Sequence, residues 1–265
     1  MRADVSSLQR FYASPLGRSC ADLVATRLNG LWRTLPPQAH IAGIGYAPPY
    51  LERLSMPAAS RVAFMPGPQG VRLWPEAARN AAALIEESDW PLPNGAYDGL
   101  ILAHALEVAD DLAGLLRETW RCLNPGGRAV IIVPRRRGFW SSADSTPFGF
   151  GRPFSQEQLR RLLGEHLLPV TRLVAACVWP PLTRFGLWRL APTVERLAVD
   201  GGATRLGGIL IVECEKQLEG GIKVRPKRLP QRQLRPVPAP VTGLQAPERR
   251  EQRLAEAAAA VQLSS

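Results

Sequence analysis

A histidine and a glutamate stand directly after one of the most apolar segments of the chain. His104 follows Tyr97–Ala103, which is predicted to be a buried β-strand, and Glu107 comes three residues later. An imidazole can accept a proton near neutral pH, and a nearby carboxylate can orient it. We therefore take His104 as the candidate catalytic residue. The alternatives are that His104 only hydrogen-bonds a neighbouring backbone group and that Glu107 is an ordinary exposed acid.

A second group of chemically active side chains follows the next apolar segment. Arg135, Arg136 and Arg137 come after Ala129–Val133, and Trp140 lies close behind them. Guanidinium groups bind carboxylates and phosphates through paired hydrogen bonds, and an aromatic ring can stack on a planar ligand. Arg135, Arg137 and Trp140 are therefore candidate substrate-binding residues for an acidic small molecule. The alternative is a solvated turn whose arginines face water.

Metal and disulfide chemistry finds little support in the sequence. The four cysteines are scattered without a Cys-x-x-Cys pair, and none of the three histidines stands at ligand spacing from another. We predict no metal site, and we expect the cysteines to be small buried side chains.

The elements that must position these residues form a strand–helix–strand unit. Leucines recur at helical spacing from about residue 110 to residue 123, Pro125–Gly127 is expected to end that helix, and Ala129–Val133 is predicted to be a short buried strand. Two parallel strands joined in this way have a right-handed crossover. Their carboxyl ends meet at the edge where open α/β sheets bind ligands, so His104 and the arginines are expected to approach a common cavity.

Two stretches of this unit resemble consecutive signatures of class I AdoMet-dependent methyltransferases of the type 11 kind. WPLPNGAYD resembles the LPF-x-x-x-x-FD stretch before the fourth strand, and LRETWRCLNPGG resembles the LxExxRxLxPGG stretch before the fifth. Phe154–Leu163 also follows a helix of that family, and Ser155 and Gln158 form a capping box. The resemblance implies an α/β, Rossmann-like fold. Its seven-stranded methyltransferase sheet is mostly parallel with the last strand antiparallel, and helices cover both faces.

The resemblance also implies S-adenosyl-L-methionine (AdoMet) as the cofactor, bound at the turn after the first strand. In the family this turn has the form D-x-G-x-G-x-G, which lets the backbone pass close to the cofactor. Gly43 stands at the acidic position of the pattern, Gly45 is retained, and Ala47 replaces a later glycine. These three residues are candidate cofactor-binding positions in a degenerate motif.

The family's ribose and adenine contacts are also altered. Pro66 stands where the family has an acid for the ribose hydroxyls, whereas Glu86 falls in register with the acid that binds the adenine amino group, with Glu87 beside it. Pro66, Glu86 and Glu87 complete the candidate cofactor-binding set, and the alternative for Glu86 is a solvated acid. Losing two charge-assisted hydrogen bonds costs roughly 1.5–3 kcal/mol each, so we predict an AdoMet dissociation constant in the high-micromolar range or above.

Composition divides the chain into three parts. Residues 1–37 are predicted to be an N-terminal helical extension broken near Ser14-Pro15, and residues 38–216 the methyltransferase-like domain. Residues 217–265 are rich in proline and hold nine Lys and Arg against four Glu, which is +5 of the net charge of +10. This segment is predicted to be a disordered basic tail, which either engages an anionic partner or only adds solubilising charge.

Two functions from different classes remain open. The first is an AdoMet-dependent methyltransferase acting on a small-molecule substrate, and the second is a noncatalytic protein of the same fold that binds or regulates a partner, with a weakened or lost AdoMet site. No apolar run approaches the ~18 residues that span a bilayer, so we expect no integral membrane segment and a cytoplasmic protein.

Overall fold

Seven strands pair into one sheet in the computed structural model, which describes residues 2–181, 189–200 and 207–218. The strands are β1 (Ala39–Gly45), β2 (Ala58–Pro66), β3 (Ala82–Ile85), β4 (Tyr97–Ala103), β5 (Leu123–Pro134), β6 (Val170–Ala176) and β7 (Ile209–Glu215). The α-helices among the described residues are α1 (Val5–Ala13), α2 (Pro15–Leu31), α3 (Pro48–Leu51), α4 (Leu112–Cys122), α5 (Gln156–Glu165) and α6 (Ala191–Asp200).

The order of the strands confirms the predicted fold class. The sheet runs β3-β2-β1-β4-β5-β7-β6, with parallel pairing from β3 to β5 and with β7 antiparallel to both β5 and β6. Chain order reverses between β1 and β4, which lie side by side in the centre. In open α/β sheets, ligands bind outside the carboxyl ends of the strands at such a reversal.

Neighbouring side chains along the central strands point to opposite faces of the sheet, so the core has one part on each face. Ile41 of β1 and Ile101 of β4 pack with α1, α2 and α3, whereas Ala42 and Leu100 pack with α4 and α5 on the other face. Successive side chains of a strand point to opposite faces, so strands covered on both sides have few polar positions. Helices therefore cover both faces, as the resemblance implied.

The N-terminal break falls where the sequence predicted it. The side chain of Ser14 caps α2 by accepting a hydrogen bond from the backbone of Gly17, and Pro15 occupies the first turn. Ser14 itself is extended, with φ −72° and ψ 157°, so α1 and α2 are separate helices joined at one residue.

Pro125–Gly127 follows closely on the end of the fourth helix, as predicted, but it lies within β5 and does not form a turn ahead of that strand. The helix ends at Cys122, and Leu123 is already extended and pairs with Tyr97 of β4. The next pairing joins Gly99 to Arg128, so the proline and both glycines lie in an irregular part of β5 where its register shifts. Extra residues between two paired positions are accommodated as a bulge, for which glycine is well suited.

Several sequence predictions concern the remaining parts of the chain. All four cysteines are buried free thiols, as expected. In the described ranges, no helix is long and apolar enough to cross a bilayer, and no group of three or more His, Cys, Asp or Glu residues could hold a metal ion. Residues 219–265, which make up nearly all of the predicted basic tail, lie outside the described residues.

Candidate active site

The segment that leads into β4 is fixed by an ion pair on α4. The Arg121 guanidinium donates to the Glu118 carboxylate at 2.6 Å and to the carbonyl oxygens of Trp90 and Leu92 at 2.9 and 2.7 Å. Glu118 in turn accepts a hydrogen bond from the Trp90 backbone nitrogen at 3.0 Å. The hydrogen bonds from Arg121 lower the pKa of Glu118. Glu118 and Arg121 of the LRETWRCL stretch therefore anchor the WPLP segment and position β4.

The first residue after β4, His104, has an unusual backbone conformation. Its φ is +51°, in the left-handed region that non-glycine residues rarely adopt. Strain of this kind persists where surrounding structure enforces it, and it is concentrated at functional sites. The turn after β1 is held against the same place, because the backbone nitrogen of Tyr46 donates to the Ala103 carbonyl at 2.7 Å. The carboxyl ends of β1 and β4 are thereby tied together beside His104.

His104 belongs to a chain of four buried polar side chains, Glu107–His104–Tyr12–Tyr50. The His104 Nδ1 lies 3.3 Å from Glu107 Oε1, and its Nε2 lies 2.7 Å from the Tyr12 hydroxyl. The Tyr12 and Tyr50 hydroxyls are also 2.7 Å apart. A carboxylate can only accept, so its position favours a proton on Nδ1, which leaves Nε2 to accept from Tyr12. We call these four residues the buried polar chain.

Aromatic rings enclose the buried polar chain. The Tyr12 ring stacks on the Tyr46 ring, with ring centroids 5.7 Å apart. The ring centroids of Phe148 and His104 are 4.7 Å apart. Burial raises the pKa of Tyr12 and of Tyr50 well above the ordinary value for a phenol, so both hydroxyls stay protonated at neutral pH.

Glu107 is the least satisfied member of the buried polar chain. Its exposed fraction is 1%, and neither carboxylate oxygen has a hydrogen-bond partner. His104 Nδ1 lies 3.3 Å from Glu107 Oε1, which is close enough for an ion pair, but the two groups are not aligned as a hydrogen bond. An unpaired buried carboxylate is costly to fold, and such groups are a reason to suspect a functional role.

The end of β1 is closely packed at both of its glycines. A Cβ atom at Gly43 would lie 2.3 Å from the Cβ of Ala47 and 3.0 Å from Cδ1 of Leu51, so no side chain fits there without a shift. Gly45 has a φ of +79°, and a Cβ atom there would lie 2.2 Å from the Ala103 carbonyl oxygen. The retained glycine is therefore required by the close packing of the turn after β1 on β4, and Ala47 fills the space beside Gly43.

A buried glutamine supplies a polar group near the position where the ribose acid is missing. Pro66 is buried at the end of β2 and offers no side-chain hydrogen bond. Three residues later, Gln69 is only 3% exposed, and neither its amide oxygen nor its amide nitrogen has a partner in the described structure. A buried unpaired amide is rare, and a polar ligand or an ordered water molecule would satisfy it. The residues present therefore fit a hydroxyl-bearing group such as a ribose at this edge of the sheet.

A cavity lies at the carboxyl end of β3, beside Glu86. Glu86 is exposed and lines this cavity of 340 Å³, together with Asp89 and Pro91. Glu87 has a different environment, because it pairs with Arg2 and accepts a hydrogen bond from the Asp110 backbone nitrogen at 2.6 Å. Glu86 is thus placed to meet a ligand in the cavity, whereas Glu87 is already engaged by the protein.

The candidate substrate residues divide between surface and core. Arg135 is half-buried and Arg137 exposed, and within residues 2–181, 189–200 and 207–218 neither guanidinium has a hydrogen bond or an ion pair. Trp140 is buried, and its Nε1 donates to the Trp179 carbonyl at 2.8 Å. The ring centroids of Trp140 and Phe148 are 5.8 Å apart. His104, Arg135, Arg137 and Trp140 line neither the 340 Å³ cavity nor a 700 Å³ cavity between α2 and α6, so neither is the common cavity that the sequence predicted for His104 and the arginines.

Sequence reasoning missed four residues of the site: Tyr12, Tyr46, Tyr50 and Gln69. A usable signal was the scarcity of tyrosine, since the chain has only four and three of them meet here. No comparable signal marks Gln69, whose importance depends on its burial.

Comparison with known proteins shows which part of the chain resembles a methyltransferase domain. Residues 42–131 match the family model of a methyltransferase domain, and this range holds β1 to β4 and most of β5. The match confirms the resemblance to class I AdoMet-dependent methyltransferases, and it supports AdoMet as the cofactor. A comparison with curated proteins gave no significant match.

Solved structures share the fold. A SAM-dependent methyltransferase from Thermotoga maritima is 16% identical with a TM-score of 0.53, covering 80% of this chain and 96% of its own. A SAM-dependent methyltransferase from Aquifex aeolicus is 15% identical with a TM-score of 0.53, covering 82% and 100%. The [4+2]-cyclase SpnF is 17% identical with a TM-score of 0.53, covering 82% and 98%. At these identities the likeness is one of fold alone.

Proposed function

We propose that this chain, which carries a methyltransferase domain within a complete class I methyltransferase sheet, is an AdoMet-dependent methyltransferase of a small-molecule substrate. The observation that carries the proposal is the position of His104 at the carboxyl end of β4, with Nε2 directed at a hydroxyl and Nδ1 facing a buried carboxylate. This arrangement matches the orientation of a general base by an acid.

The proposed roles follow from the contacts of each residue. His104 accepts the proton of the substrate group that becomes methylated, and Glu107 keeps the proton of the imidazole on Nδ1, so that Nε2 stays free to accept. Gln69 would hold the ribose hydroxyls, Glu86 would hold the adenine amino group, and the backbone of Gly45 would pass beside the cofactor. When bound, AdoMet supplies an activated methyl group, for which placement provides most of the rate enhancement.

The identity of the substrate is a separate proposal. The unpaired guanidinium groups of Arg135 and Arg137 support an acidic group on the substrate, because they leave the carboxyl end of β5 without partners among the described residues. Trp140 lies beneath this loop and shapes it, since Gly208 packs directly on its ring.

Binding of AdoMet to matched glutamine variants tests the proposal. Calorimetric titration of the full chain is expected to give a dissociation constant in the high-micromolar range, and Gln69→Leu is expected to weaken binding about tenfold, since one hydrogen bond to a polar ligand is lost. Gln156→Leu on α5 is the control, and it should leave the affinity unchanged. Equal effects of the two variants would contradict the role of Gln69, and an absence of binding at millimolar AdoMet would contradict the function.

One observation favours a noncatalytic protein as the second candidate. The buried polar chain and its aromatic neighbours already fill the space beside the β1 turn, where Tyr46, Ala47 and Tyr50 are each no more than 1% exposed. If this packing is permanent, no cofactor can reach His104. The same titration separates the two candidates, because a noncatalytic descendant with a closed site would bind neither AdoMet nor its demethylated product.

A further inference from the structure

The buried polar chain contains one member that comes from outside the methyltransferase domain. Tyr12 belongs to α1, and its hydroxyl occupies the position on His104 Nε2 where the group to be deprotonated must lie. The other contacts of His104 and Glu107 come from the carboxyl end of β4 and the loop over it. A side chain of the protein thus stands in the reacting position of the proposed reaction.

The surroundings of Tyr12 fit a phenol in particular. Its ring stacks on Tyr46 with an interplanar angle of 23° and meets the edges of Tyr50 and His104 at centroid distances of 5.9 and 5.8 Å. Its oxygen has two hydrogen-bond partners, the imidazole Nε2 of His104 and the Tyr50 hydroxyl, each at 2.7 Å. A flat aromatic slot with two polar groups at one end selects an aromatic ring that carries a hydroxyl.

The helix that carries Tyr12 is short, and besides its two buried side chains only the partly buried Val5 and Phe11 pack on the core. Leu8 and Tyr12 are its only buried residues, and the extended Ser14 separates it from α2. In front of α1, the Arg2 guanidinium pairs with Glu87 and donates to the Val108 carbonyl at 2.8 Å. Elements with few buried side chains are the first to open in native proteins, so α1 can release the slot without unfolding the sheet.

We propose that the slot filled by Tyr12 is the substrate site, that the methyl acceptor is a phenol, and that Tyr12 is an internal stand-in which leaves when α1 opens. This inference rests on the proposed function. The phenolic O–H proton passes to His104 Nε2, the phenol oxygen bonds to the methyl carbon as its bond to sulfur breaks, and the electron pair of that bond stays on sulfur. The products are an aryl methyl ether, S-adenosylhomocysteine and a protonated imidazole.

Paired probes on the full chain test the slot without requiring turnover. The probes are p-cresol, which reproduces the tyrosine side chain, and toluene, which lacks only the hydroxyl. In Tyr12→Ala we expect calorimetry to show p-cresol binding about fivefold to tenfold more tightly than toluene, because His104 and Tyr50 lose a partner that only the phenol replaces. A merely apolar cavity prefers toluene, since the hydroxyl must give up its water.

A double variant and a variant at Arg2 complete the test. Adding His104→Phe to Tyr12→Ala should abolish the preference for p-cresol. If Tyr12→Ala does not fold, Arg2→Ala serves instead, since it loosens α1 and leaves the slot intact, and it should raise p-cresol affinity above that of the wild type. A preference for toluene, or no gain with either variant, would overturn the phenol slot.

Turnover separates this inference from the proposed function. With AdoMet and p-cresol, mass spectrometry should detect 4-methylanisole, and Arg2→Ala should form it at least threefold faster than the wild type. If AdoMet binds but no ether forms and toluene is preferred, the phenol inference fails while the proposed function stands. If p-cresol is preferred but AdoMet does not bind, the slot stands and the proposed function fails.

Discussion

Two buried glutamates give opposite predictions for the same substitution. Glu107 and Glu213 are 1% and 0% exposed, but Glu107 accepts no hydrogen bond, whereas Glu213 accepts bonds from Thr171 Oγ1 at 2.9 Å and from Arg172 Nε at 2.7 Å. Replacement by glutamine keeps the shape and removes the charge. We expect Glu107→Gln to stabilise the fold and Glu213→Gln to destabilise it.

The expected sizes follow from the contacts. The amide left by Glu107→Gln is still buried and unpaired, so only the additional cost of burying a charge is removed, and the free energy of unfolding should rise by about 1 kcal/mol. Hydrogen bonds to charged groups contribute about 1.5–3 kcal/mol each, so Glu213→Gln should lower it by about 2–4 kcal/mol. For a chain of this size, each kcal/mol moves Tm by about 2–4 °C.

Urea titration at pH 7, followed by tryptophan fluorescence, measures both changes in the full chain. Glu107→Gln should also slow methyl transfer by about 10² or more, because His104 loses the carboxylate that orients it. A gain in stability with a loss of activity would show that the fold tolerates Glu107 for its reaction. The reasoning is refuted if Glu107→Gln destabilises the protein as much as Glu213→Gln does.

Three further predictions concern the ion pair, the degenerate motif and the arginine loop. Arg121 lowers the pKa of Glu118 below its ordinary value of 4.5. The ion pair therefore stabilises the fold fully above pH 4.5, and this contribution is lost as the pH falls below that value. The free energy of unfolding of Glu118→Gln should not show this decrease between about pH 5 and about pH 2. Gly43→Asp should destabilise the fold by about 1–3 kcal/mol through overpacking and should not tighten AdoMet binding, whereas Pro66→Asp should tighten it, as titration of both variants will show. Replacing Arg135 and Arg137 together by Ala should abolish the binding of an acidic substrate and change stability by no more than about 1 kcal/mol, and an equal loss of Tm and binding would indicate a structural role instead.

The sequence was sufficient to predict most of the fold because the relevant signals are local. The apolar run at Tyr97–Ala103 and the capping box at Ser155 depend on neighbours within a few residues, and both elements lie where they were predicted. The bulge at Pro125–Gly127 was missed, since a Pro-Gly-Gly stretch after a helix forms a turn or part of a strand according to the pairing with β4, which local sequence does not contain.

The site was predicted only in part because its contacts are distant in sequence. His104 could be placed from the strand before it, but its partner Tyr12 is 92 residues away, and Tyr50 is 38 residues from Tyr12. Only packing of α1 on the sheet edge brings these hydroxyls together. Likewise, Gln69 became a candidate through its burial and not through its position in a motif.

Hydrogen–deuterium exchange of the full chain, with and without AdoMet, tests the central claim most directly. If the edge between β1 and β4 binds the cofactor, exchange should slow at residues 45–51 and 66–70. Because Tyr12 is proposed to leave only when the acceptor enters its slot, exchange in α1 should change little with AdoMet alone. Protection confined to other segments, or no change at saturating AdoMet, would contradict the assignment of this edge as the active site.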